Sequence, residues 1–143
     1  MNTFDELHAL TFLGDDRQFL IQVVKAMQDI LNDQQHVMAE ALAKDNVVRM
    51  RQCTHSHLPT LKIFGLLEAA KVFEMFEAAV SRQDLDAVVR LKLAVMAHWH
   101  DVQRVLSEWL TRQIPNELVI PIQQNDTMLF QATQNRFFPV DGP

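Results

Sequence analysis

Glycine and proline are scarce in the first 112 residues of this 143-residue chain, and that scarcity limits its fold more than any other feature. The three glycines are Gly14, Gly65 and Gly142, and four of the five prolines lie at Pro115 or beyond. These two residue types mark most turns between strands. A chain with so few of them over such a length is predicted to form long helices.

Apolar residues recur every three or four positions in four segments, 16–44, 47–64, 67–81 and 85–110. This spacing is typical of helices that bury one face. Asp45 and Asn46 mark the break after the first segment, and Gly65 marks the end of the second. Four amphipathic helices with short connections are expected to share one core as an antiparallel four-helix bundle. On the last helix, the predicted core residues are Leu85, Val88, Val89, Val95, Met96, Trp99, Val102, Leu106 and Trp109.

Both ends of the chain differ from this pattern. The segment TFDELHALTFL predicts a short N-terminal cover helix, with Thr3 and Glu6 in capping-box spacing. After Ile114 the sequence holds long uncharged stretches with apolar groups such as LVIPI and MLFQA. The expected architecture is therefore all-α, with a bundle domain at 1–112. Residues 113–143 are predicted to form a non-helical extension that packs on the bundle away from the exposed face of the second helix.

Composition limits the classes of function. Hydrophobic residues make up 48% of the chain and charged residues 22%, the mixture of an ordinary globular domain. The net charge is −5 and no run of lysine or arginine occurs, which argues against nucleic acid or a membrane surface as a partner. The N-terminus lacks a signal-peptide pattern. The single cysteine, Cys53, cannot form an internal disulfide, so a cytoplasmic location is predicted.

The second predicted helix contains the unusual stretch THSHLPTLKIFG, which begins at Thr54. At about 100° per residue, His57 lies on the apolar face of this helix and His55 lies opposite it. His57 is therefore predicted to be a hydrogen-bonded core histidine, whereas His55 is predicted to be exposed. The residues expected to share the outward face with His55 are Arg51, Leu58, Pro59 and Lys62.

Pro59 stands one turn after His55, where it removes the amide that would bond the His55 carbonyl. It is either a tolerated kink or a short side chain that lets another protein approach His55. Both interpretations stay open on the sequence alone.

The order of these elements resembles that of histidine-containing phosphotransfer (HPt) domains. Their common motif is HxxKG followed by a glycine ten residues after the histidine, and here His55 is followed by Leu58, Pro59 and Gly65. The segments before and after the motif, from FLGDDRQFL to GLLEAAKVFEMFEAAV, are similar to the helices of that family. The resemblance covers about residues 4–110.

The resemblance implies that His55 accepts a phosphoryl group from a receiver-domain aspartate and passes it on, as a phosphocarrier and not as a turnover enzyme. The implied partners are response-regulator receiver domains and a hybrid sensor histidine kinase. The chain itself would need no cofactor, because the magnesium ion would belong to the receiver. Either Arg51 or Lys62, which share the outward face of the helix with His55, would supply positive charge near the phosphoryl group, and Leu58 and Pro59 would form an apolar docking patch.

Two alternatives remain. The family usually has lysine three residues after the histidine, and Leu58 stands there instead, which favours a pseudo-HPt adaptor that docks without transfer. The second alternative is a metal-binding bundle, since the chain has six histidines. However, His98 and His100, like His55 and His57, are two residues apart and project in different directions, so no metal site is predicted.

Overall fold

A computed structural model of the protein describes residues 2–113, and the predicted extension lies outside the described residues except for Gln113. The described part holds five helices and no strand, so the all-α prediction is confirmed for it. Each predicted boundary lies within three residues of the observed one. The last helix continues through Gln113, which had been assigned to the non-helical extension. The helices are α1 (Glu6–Phe12), α2 (Arg17–Ala43), α3 (Val47–Ile63), α4 (Leu67–Ser81) and α5 (Leu85–Gln113).

Short acidic and amide side chains cap the starts of α1, α2 and α3, whereas Leu66 at the start of α4 makes no such bond. Asp16 accepts a hydrogen bond from the amide of Phe19 at 3.0 Å, and Asn46 does the same for Arg49 at 3.2 Å. Such caps satisfy amides that have no partner inside the first turn. For α1 the predicted Thr3 capping box is wrong, because Asp5 is the cap and accepts from the amide of His8 at 3.0 Å.

The four long helices pack in a ring, in which α2 and α4 each contact both α3 and α5. The shorter α1 contacts α2 and α3. Within residues 2–113, no helix is long and apolar enough to cross a bilayer. The ring encloses one core of aromatic, aliphatic and methionine side chains, whose largest fully buried members are Trp99, Phe64, Phe73, Phe76, Leu20, Met27, Leu31, Met38, Met50, Leu61, Leu66 and Leu106.

The beginning of α5 departs from the predicted core. Leu85 and Val89 were expected to be buried, but both are exposed. Lys92 occupies the side of α5 that faces the α2–α3 turn, where its ammonium group bonds Asp45. Its side chain is only 14% exposed, because a lysine can bury its stem and keep its charge at the surface. In this part of α5 Lys92 is therefore mostly buried, whereas the aliphatic Leu85 and Val89 are exposed.

Candidate functional site

The C-terminal end of α3 is fixed by Gly65. The amide of Gly65 bonds the carbonyl of Lys62 at 3.1 Å, and the amide of Leu66 bonds that of Leu61 at 2.9 Å, the two bonds of a Schellman motif. Gly65 has φ +70°, and a Cβ added there would lie 2.4 Å from the Cβ of Asp5. The segment before α1 therefore crosses α3 directly over this glycine, which places α1 beside the last turns of α3.

His55 lies on the outer surface of α3, as predicted, and its side chain is 66% exposed. Its Nδ1 atom lies 3.0 and 3.1 Å from the two carboxylate oxygens of Glu77, on α4. A guanidinium nitrogen of Arg51 lies 3.6 Å from the same carboxylate. Glu77 thus connects the imidazole to the predicted cation one turn earlier.

The Glu77 contact determines which ring nitrogen of His55 is available for chemistry. A carboxylate only accepts hydrogen bonds, so Nδ1 must carry the proton that joins the two groups. In the neutral ring Nε2 then holds a lone pair and is the nucleophilic atom. If that atom forms a bond, the ring becomes cationic and Glu77 lies where it can stabilise the charge.

Lys62 is also paired with an acidic residue of α4. Its ammonium nitrogen lies 2.5 Å from a carboxylate oxygen of Glu74. Arg51 and Lys62, the two predicted sources of positive charge, therefore both face carboxylates one turn apart on α4. Exposed pairs of this kind contribute little to stability, ~0–1 kcal/mol each, and exchange partners readily.

An open cavity of about 600 Å³ lies beside His55, between α1 and α3. Most of its lining is apolar, and the lining also includes two imidazoles and one lysine. Leu58 had been predicted on the outward face, but it is only 8% exposed because it faces this cavity and packs against the core. Pro59 is half-buried. The cavity is lined by His8, Phe12, His55, Leu58, Pro59, Lys62 and Ile63.

His57 confirms the prediction of a hydrogen-bonded core histidine. It is 3% exposed, its Nε2 lies 2.6 Å from the side-chain oxygen of Gln34, and its ring meets Trp99 edge-on. Burial disfavours the charged ring and lowers its pKa to about 4. His57 is therefore neutral near pH 7 and serves the core.

The other candidate ligands and nucleophiles are separate from this site. His98 bonds the side chain of Asn2, and His100 bonds Gln103. Among residues 2–113, no group of three or more histidine, cysteine or acidic side chains is arranged to hold a metal ion. Cys53 is buried, and burial raises the pKa of its thiol. A raised pKa reduces the thiolate fraction on which cysteine reactivity depends.

Sequence reasoning missed Glu74 and Glu77, and it missed the contribution of α1 through His8 and Phe12. The acidic pair did leave a signal, since two glutamates three residues apart form one charged face on α4. Nothing in the sequence showed that this pair faces the outer side of α3. The position of α1 beside α3 follows from the crossing at Gly65, which requires the tertiary structure.

Comparison of the chain with protein-family models, curated proteins and solved structures found no match in any of the three. The site is therefore interpreted from its own geometry.

Proposed function

We propose that this protein is a cytoplasmic histidine phosphotransfer protein of a two-component phosphorelay, built as an antiparallel four-helix bundle of the HPt type. The observation that carries the proposal is the contact between His55 and Glu77. It combines an exposed imidazole, a defined Nδ1 proton and a free Nε2 atom on a rigid helix. Response-regulator receiver domains and a hybrid sensor histidine kinase are the proposed partners.

In the proposed reaction, Nε2 of His55 attacks the phosphorus of an aspartyl phosphate on a receiver domain. The N–P bond forms as the P–O bond to the aspartate breaks, and the aspartate leaves as a carboxylate. The Nδ1 proton stays in its hydrogen bond to Glu77, so the cationic ring faces a negative charge. In the return step, another receiver aspartate attacks the same phosphorus and the neutral imidazole leaves.

The cavity between α1 and α3 supports the docking step. It places Leu58 and Pro59 next to His55, as part of an apolar surface that a receiver domain would cover. Desolvating this surface on binding would also strengthen the charge interactions at His55.

A second candidate is a non-catalytic adaptor that docks receiver or kinase domains, and the surroundings of the two cations favour it. Leu58 replaces the lysine of the common motif, and both Arg51 and Lys62 face glutamates. For transfer, Arg51 or Lys62 would have to leave its glutamate and turn toward the phosphoryl group.

The experiment is phosphotransfer from a radiolabelled, phosphorylated receiver domain to the full chain. His55→Gln removes the proposed acceptor, and His36→Gln is the matched control, because His36 is an exposed histidine on α2. Acid-labile label on the wild type and the control, but not on His55→Gln, would support transfer through His55. Label that persists in His55→Gln would overturn that assignment. Receivers that bind the chain but leave it unlabelled would favour the adaptor.

A further inference from the structure

Arg51 and His55 share one carboxylate oxygen of α4. The Oε1 atom of Glu77 lies 3.0 Å from Nδ1 of His55 and 3.6 Å from a guanidinium nitrogen of Arg51. Arg51 stands one helical turn before His55, so the two side chains lie on one face of α3. The guanidinium group is therefore held beside the imidazole before any phosphoryl group arrives.

The direction of helical side chains favours Arg51 over Lys62 as the cation for a group bound to His55. Side chains of a helix tilt toward its N-terminus, so the imidazole of His55 extends over the turn that contains Arg51. Lys62 lies seven residues after His55, a rise of about 10.5 Å along the helix. Its side chain also lines the cavity that the proposed partner would cover.

The two cations differ further in how firmly a glutamate holds them. The ammonium group of Lys62 lies 2.5 Å from its Glu74 oxygen, whereas the guanidinium of Arg51 is 3.6 Å from Glu77, longer than an ordinary hydrogen bond. An exposed ion pair with this separation contributes little to stability. Arg51 can therefore leave Glu77 with little loss, and Glu77 keeps its contact with the imidazole.

A phosphoryl group on Nε2 of His55 would change the charge balance of this cluster. Such a group carries a charge of about −1.5 to −2 and three acceptor oxygens. Glu77 repels it, because both are negative, and stays with the Nδ1 proton. The planar guanidinium of Arg51 can donate two parallel hydrogen bonds to phosphoryl oxygens. The phosphoryl group therefore attracts Arg51 more strongly than the single carboxylate does.

We propose that Arg51 is the catalytic residue that binds the phosphoryl group on His55, and that it moves there from Glu77 as the N–P bond forms. The assignment rests on the proposed phosphotransfer function. Glu77 then stabilises the cationic ring at Nδ1, while Arg51 neutralises charge on the phosphoryl oxygens at Nε2. The lysine that is absent at Leu58 is thus replaced from the preceding turn of α3 and not from the following ones.

Chemical phosphorylation of the full chain tests Arg51 without a receiver. With phosphoramidate as the donor, the bond from Nε2 to phosphorus forms as the bond from phosphorus to nitrogen breaks, and ammonia leaves. Nitrogen-15 NMR measures the rate at His55 in the wild type and in Arg51→Gln, Arg51→Lys and Lys62→Gln. Arg49→Gln is the matched control, because Arg49 is an exposed arginine of α3 that bonds Gln52.

His36, an exposed histidine of α2, provides the reference rate within the same chain. His55 should react about tenfold faster than His36, and Arg51→Gln should remove that advantage. This effect is smaller than the loss of a charged donor in a site closed to water, because His55 is open to solvent. Arg51→Lys should recover part of the rate, since it keeps the charge but not the paired donors. Arg49→Gln should react like the wild type.

Several outcomes would overturn the assignment. They are a wild-type rate in Arg51→Gln, a larger loss in Lys62→Gln than in Arg51→Gln, and a His55 that reacts no faster than His36 or does not react. Side-chain NMR gives a readout that a purely structural role would not move. In the phosphorylated chain, exchange of the Arg51 Nε proton with water should slow at least tenfold. Unchanged exchange would also overturn the assignment.

The assignment of Arg51 and the proposed function fail in different ways. Phosphorylation by phosphoramidate that depends on Arg51, without label from any receiver that binds the chain, would overturn the transfer function and support Arg51 as the phosphoryl-binding residue. Label that passes from a receiver to Arg51→Gln at the wild-type rate would support the function and overturn the role of Arg51.

Discussion

At the residue scale, two histidines in one helix have opposite surroundings. His55 is exposed beside a carboxylate, and His57, two residues later, is buried against Trp99. Helical periodicity was enough to predict this difference, because two residues correspond to about 200° of rotation. The partner Glu77 was not predictable in the same way, since its contact depends on how α4 is rotated against α3.

Replacing Glu77 by alanine should change the tautomer of His55. Without the carboxylate nothing holds the proton on Nδ1, so the population with the proton on Nε2 should rise and the nucleophilic lone pair should be lost from that atom. We expect the proposed phosphorylation of His55 to slow by about tenfold. This is less than the roughly 10²–10⁴-fold contribution of a positioned acid or base, because part of the population still has the proton on Nδ1. Nitrogen-15 NMR of the imidazole and the rate of labelling measure the two effects.

Glu74→Ala is the control for this prediction, because Glu74 pairs with Lys62 and lies one turn from Glu77. It removes the same charge from the same helix face and should leave the tautomer unchanged. If both variants alter the His55 spectrum equally, the effect comes from the charge of the face and not from the specific hydrogen bond.

His57 should make the stability of the protein depend on pH. Its pKa is lowered from 6.5 to about 4 in the folded state by burial, so below pH 6.5 the unfolded chain binds the proton more readily. The stabilising contribution is fully present above pH 6.5 and is lost as the pH falls toward 4. Between pH 7 and pH 4.5 the loss should be about 2 kcal/mol, and the remainder is lost below pH 4.5.

Urea denaturation of the wild type and of His57→Leu at pH 7 and pH 4.5 measures this effect. The leucine variant does not titrate at position 57, so the gap between the two free energies of unfolding should shift by about 2 kcal/mol in its favour at the lower pH. His36→Leu, on the exposed side of α2, is the comparison variant for replacing a histidine outside the core. A constant gap for position 57 would contradict the assigned burial of a neutral ring.

At the scale of elements, the sequence predicted where each helix begins and ends more accurately than it predicted which helix faces are buried. The boundaries of α4 were predicted without error, because Gly65 and the polar residues around Gln83 mark its ends. The predictions for Leu58, expected to be exposed, and for Val89, expected to be buried, were wrong. Leu58 lies beside α1, whose position no periodicity predicts, and Val89 is exposed although Lys92, three residues later, is mostly buried.

The end of α3 gives a prediction with an internal control. Gly65→Ala should destabilise the fold by on the order of 3 kcal/mol, since it combines a left-handed backbone with a collision against Asp5. Gly14→Ala has nearly the same backbone, φ +74°, but its added Cβ meets nothing within 4 Å. It should cost only ~1 kcal/mol. Thermal or urea unfolding compares the two, and equal losses would exclude the close crossing of the Asp5 segment as the cause.

At the scale of the whole molecule, charge and apolar surface have different roles. The chain carries a net charge of −5, and on the face around His55 the cations Arg51 and Lys62 are balanced by glutamates. A partner approaching this face meets little net field, so long-range attraction contributes little to docking. In the proposed docking, the apolar cavity between α1 and α3 would then supply most of the binding free energy.

Under the proposed function, receiver binding should accordingly depend on the cavity and only weakly on salt. Phe12→Ala removes an aromatic side chain from the lining, and we expect at least tenfold weaker binding, because buried aromatic contacts dominate many interfaces. Leu7→Ala is the control, since Leu7 is exposed on the same helix and does not line the cavity. Titration calorimetry at 50 and 300 mM salt measures both effects. A steep loss of affinity with salt would show that the partner binds through the charged groups around His55. Equal binding by both variants would show that α1 takes no part in docking.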